Sequence, residues 1–103
     1  MDQEMLSLLS HFDCVEEVVQ TLLVSDAEAD YRIELLRCHK EPQPGYKPRI
    51  FRQEAVTVPP DYRSPKAREM LVWRDYEMGF ASTDDLNVAL KMAVVVIEQK
   101  RGR

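Results

Sequence analysis

The chain has 103 residues and a mass of 12.0 kDa, which is one domain spanning 1–103. With 45% hydrophobic and 31% charged residues it is too apolar to stay disordered, and no apolar run approaches the roughly 18–20 residues of a membrane-spanning helix. A net charge of −4 disfavours generic binding to polyanions.

In chain order, residues 3–24 place Leu6, Leu9, Phe12, Val15, Val19, Leu22 and Leu23 at spacings of three and four, which predicts one long helix or two short ones on a shared face. Ser10 and Asp13 form an S-x-x-D pattern able to cap a second helix. Residues 30–40 alternate as a strand, with Tyr31, Ile33 and Leu35 on one face and Arg32 and Glu34 on the other; the period slips at Leu36, as at a bulge. Glu41 to Pro48 reads as a turn, with Pro44-Gly45 at its centre and Gly45 supplying a positive φ. A second strand runs from Arg49 to Val58 and stops at Pro59-Pro60. Residues 59–68 form a basic connection, and Glu69 to Ser82 a third strand in which Gly79 marks a bulge or a close approach. Ser82-Thr83-Asp84-Asp85 starts a last helix over 84–100 with a hydroxyl cap and acids in its first turn. The expected fold is α+β in two layers, a three-stranded antiparallel sheet with two helices on one face, in the order α-β-β-β-α.

Charge is unevenly laid out. Residues 1–30 carry eight acids and no Lys or Arg, residues 31–74 ten bases against five acids, and the remainder is nearly balanced. Seven of the ten bases are Arg, whose planar forks pair carboxylates bidentately, so Arg49, Arg52, Arg63, Arg68 and Arg74 are candidates for contact with an acidic protein partner. Pairing with the chain's own acids is the competing reading.

The chain order is shared with double-stranded RNA-binding domains. Those domains begin their last helix with a basic cluster, whereas this chain has Asp84 and Asp85, so nucleic acid is not expected. Three glycines give no phosphate cradle. His11/Cys14 and Cys38/His39 add up to a Cys2His2 set, but Cys38 and His39 are adjacent on a strand and point to opposite faces, so neither a metal site nor a cysteine nucleophile is expected. No catalytic residue or cofactor emerges.

The last helix carries the strongest signal. Leu86, Ala89, Leu90, Ala93, Val94 and Ile97 form one apolar stripe; Val88, Met92, Val95 and Val96 form a second beside it, more than a small two-layer domain needs. The second stripe is the candidate homodimer interface. The function expected is a non-enzymatic, cytoplasmic protein-interaction module, homodimeric, with its Arg-rich middle on an acidic partner. The cytoplasmic address rests on an acidic opening, Met-Asp-Gln-Glu, where a presequence would be basic. The alternative is a small-molecule binding domain, for an apolar or cationic ligand, with a groove between sheet and last helix lined by Met70, Trp73, Tyr76, Met78 and Phe80.

Overall fold

A computed structural model describes residues 2–39 and 44–100. The elements are α1 (Gln3–Leu8), β1 (Glu16–Ser25), β2 (Asp30–Cys38), β3 (Gly45–Val58), β4 (Arg68–Glu77) and α2 (Leu86–Lys100). The architecture is α+β, but the sheet has four antiparallel strands in the order β1-β2-β3-β4 rather than three. The added strand is β1, cut from the segment predicted as helix. Only Gln3–Leu8 is helical there, capped by Asp2, whose carboxylate accepts the Met5 N–H. Residues 16–25 contain Val18, Val19, Thr21 and Val24, β-branched side chains that suit a pleated surface, and β2 offers a full ladder to pair with. The slip of period at Leu36 corresponds to a register shift on β1: Val18 lies opposite Leu36 and Gln20 opposite Leu35, so Val19 is the extra residue.

The β1–β2 turn is held by Asp26, whose carboxylate accepts the N–H groups of Glu28 and Ala29 at 2.7 and 3.0 Å. Of the predicted turn at Glu41–Pro48, residues 41–43 lie outside the described residues, as do Lys40 and residues 101–103. Gly45 belongs to β3 and is not in the left-handed region; it is glycine because a Cβ would come within 2.6 Å of the Thr83 carbonyl oxygen. That oxygen accepts the Tyr46 N–H, and the Thr83 N–H donates back to the Tyr46 carbonyl. The predicted third strand, Glu69 to Ser82, therefore stops at Glu77, and the chain meets β3 again at Thr83, in the segment predicted to start the last helix. Pro48, which has no N–H, lies opposite the gap.

α2 is capped by the Asp85 carboxylate, which accepts the Asn87 N–H at 2.8 Å, in place of the hydroxyl cap predicted. It lies over β2 and β3, and buries Ala89, Ala93 and Ile97 against Tyr31, Ile33, Leu35 and Ile50. Two alanines at i and i+4 let the helix approach the sheet closely. α1 buries no residue, so the expectation of two helices on one sheet face gives way to one. Beyond Arg52, the last β3 residue paired with β2, strands β3 and β4 continue as a two-stranded ribbon from Gln53 to Val58 and from Arg68 to Trp73. Single-helix cover and the projecting ribbon account for a flat, long molecule of 52 × 39 × 18 Å.

Candidate interaction surface

The face of the sheet away from α2 carries alternate residues of each strand. Arg32 on β2 is directly opposite Phe51 on β3, and its guanidinium lies 4.1 Å from the Phe51 ring centre and 5.3 Å from that of Trp73 on β4. Glu34 anchors the same side. It accepts a 2.6 Å bond from Arg49 Nε and stands 3.6 Å from Arg32 Nε, which is buried and has no hydrogen-bond acceptor among the described residues. Lys47 pairs with Glu16 at 3.2 Å. Leu36, Phe51, Asp75 and Met78 complete a groove of about 350 Å³ beside Lys47 and Arg49. Opposite charges are matched along this face, so it has no net cationic field.

The five candidate arginines do not converge. Arg49 is on the bare face, bonded to Glu34; Arg52 stands opposite Tyr31 on the helix side; Arg74, at the base of the ribbon, pairs with Glu54 at 3.1 Å. Arg63 lies over its neighbour Tyr62, and Arg68 donates to Ser64 Oγ at 3.5 Å. Arg63 and Arg68 make no ion pair among the described residues, and both sit at the ribbon tip with Lys66. The tip is shaped by Asp61, whose carboxylate accepts the N–H groups of Arg63 and Ser64 at 2.8 Å each.

The five candidate pocket residues are dispersed too. Met70 is exposed on the ribbon, Trp73 covers Arg32, Tyr76 meets Tyr31 edge-on at 5.4 Å, Met78 lines the bare-face groove and Phe80 packs on the core. A groove beside α2 does exist, on the opposite flank. Leu22 and Val24 of β1, Tyr31 and Ile33 of β2, and Leu90, Val94 and Ile97 of α2 enclose about 350 Å³, with Asp26 and Glu98 at the rim. Burial raises the Tyr31 pKa, and the neighbouring Tyr76 adds to the shift. Reading β1 as a helix hid this groove; the alternation of Leu22 and Val24 was the signal that could have found it.

Of the second apolar stripe on α2, Val88 and Val95 are 41% and 48% exposed, Met92 is half-buried, and Val96 turns inward against the core. Lys91 and Glu98 share the outer surface with the two valines. His11 stacks on Phe12; Cys14 is exposed; Cys38 is buried, with Glu16 Oε2 and Ser82 Oγ each 3.9 Å from its sulfur. The His39 ring N–H donates to Glu17 at 2.9 Å and holds that carboxyl below its ordinary pKa. Among the described residues no three metal-capable side chains cluster, and no helix is long and apolar enough to cross a membrane. No family model, curated protein or solved structure matches the chain.

Proposed function

We propose that the chain is a non-enzymatic protein-interaction module that works as a homodimer and presents the ribbon tip, with Arg63, Lys66 and Arg68, to an acidic partner. The observation that carries the reading is incomplete cover. α2 spans β2 and β3, while Leu23 and Leu71 stay 71% and 67% exposed and Val88, Val94 and Val95 remain open. Apolar surface spread along a thin molecule is what association removes from water. Molar mass over a dilution series tests it: twice the 12.0 kDa of one chain, falling toward one chain on dilution, is expected. Charge reversal of Arg63, Lys66 and Arg68 to Glu should abolish capture of an acidic polypeptide and leave the mass unchanged.

The groove between β1 and α2 favours a second reading, an apolar ligand with a cationic end beside Asp26 and Glu98. Saturable thermal stabilisation by such a molecule would support it.

A further inference from the structure

We infer that β1 is the joint of the dimer: two copies pair their β1 strands antiparallel, edge to edge across a twofold axis, and fuse two four-stranded sheets into one of eight. This rests on the homodimer proposed above and specifies how it closes.

The sheet ends in two edges, and they differ in kind. β4 carries Arg68, Glu69, Arg74, Asp75 and Glu77, charges of the sort that keep an open edge from pairing. On β1, the run Val18-Val19-Gln20-Thr21-Leu22-Leu23-Val24 has no charge, proline or glycine. Val18, Val19, Leu23 and Val24 on it are 39–71% exposed. A long, uncharged edge of β-branched and leucine residues is a template for another strand. The bulge at Val19 lies toward one end and leaves Gln20–Ser25 in regular register.

Charge and closure select a second copy as the occupant. Pairing β1 with the β4 of another molecule would set an uncharged edge on a charged one and leave a fresh edge at each end, an open-ended chain. Pairing β1 with β1 uses up both uncharged edges and ends the assembly on two charged ones. Of the acids that flank the run, Glu16 is met by Lys47, Glu17 by His39 and Asp26 by the N–H groups of Glu28 and Ala29. The groove beside α2 points the same way. Leu22 and Val24 are its floor and Leu90 and Val94 one wall, and its outer side is open where β1 ends the sheet. A twofold axis perpendicular to the sheet puts both helices on one side, so the second copy supplies the missing wall and the two half-grooves become one apolar channel over the β1–β1 seam.

The test compares two double variants by sedimentation across a concentration series. Thr21→Glu with Leu23→Glu places new carboxylates on the bare face, where their cross-strand neighbours are Glu34, already tied to Arg49, and Arg32. Across the twofold, the new carboxylates of one copy lie beside those of the other on the same face of the seam and repel. Dissociation should become about a hundredfold easier, while Val88→Asp with Val95→Asp leaves the dimer intact. A dimer that survives the glutamates, or that is broken by the aspartates on α2, overturns the β1 joint. A wild-type chain that is monomeric at every concentration overturns the homodimer itself. Should the glutamate variant fail to fold, hydrogen exchange on the unaltered chain decides. Outward amides of Gln20–Val24 should be protected when concentrated and lose protection on dilution; equal exchange at both concentrations rejects the joint.

Discussion

Ile33 and Ile50 face each other across β2 and β3, at 1% and 0% exposure, beneath Ala89 and Ala93. In a sheet with one helix over it, these two side chains fill the space that a second helix would share. Ile50→Ala should therefore cost about 2–5 kcal/mol, read as a lower urea midpoint at unchanged slope. Glu77 acts at the other end of α2. Its carboxylate accepts the N–H groups of Met78 and Gly79 at 3.1 and 3.2 Å, and pairs with Lys100 at 3.2 Å. Lys100 also donates to the Tyr76 carbonyl. The Gly79 N–H first, and Lys100 next, hold the Glu77 pKa below the ordinary carboxylate value. A carboxyl lowered in the folded state stabilises fully above its unfolded pKa of about 4.3, and that contribution is lost as pH falls through the folded value. Glu77→Gln should accordingly flatten the loss of melting temperature between neutral and acidic pH, with wild type and variant converging in acid.

The elements differ in how far their residues announce them. The strand patterns of β2 and β3 and the periodic stripe of α2 were legible, because each alternates or recurs in only one way that buries Ile33, Ile50 or Ala93. β1 was not. Val15, Val19, Leu22 and Leu23 fit a helical stripe as well as Leu22 and Val24 fit a strand, and the extra residue at Val19 breaks the period of two that would have decided it. Pairing with β2 settles the conflict, and pairing is a long-range property. The groove beside α2 was lost with β1, since half its floor comes from there. The scatter of the five arginines was equally out of reach: their positions depend on register and on where the ribbon leaves the sheet. Among the described residues, that ribbon, Gln53–Val58 with Arg68–Trp73, pairs with no third strand. Two strands alone are marginal in water. Its amides should exchange with solvent much faster than those of Tyr31–Arg37 and Tyr46–Arg52 in a native-state hydrogen-exchange experiment; equal protection would mean that something clasps it.

At the scale of the molecule, a radius of gyration of 17.6 Å stands against about 13 Å for a compact chain of this length. Much of the difference is the ribbon, and the rest is a sheet with one clad side. The two cysteines differ in burial, Cys14 exposed before β1 and Cys38 buried at 1% exposure where β2 ends. A maleimide dye should tag one sulfur per subunit at once. The second should wait until the first and second strands come apart, so its slow uptake becomes a stopwatch for how often the sheet unzips at that corner, with no engineered label required.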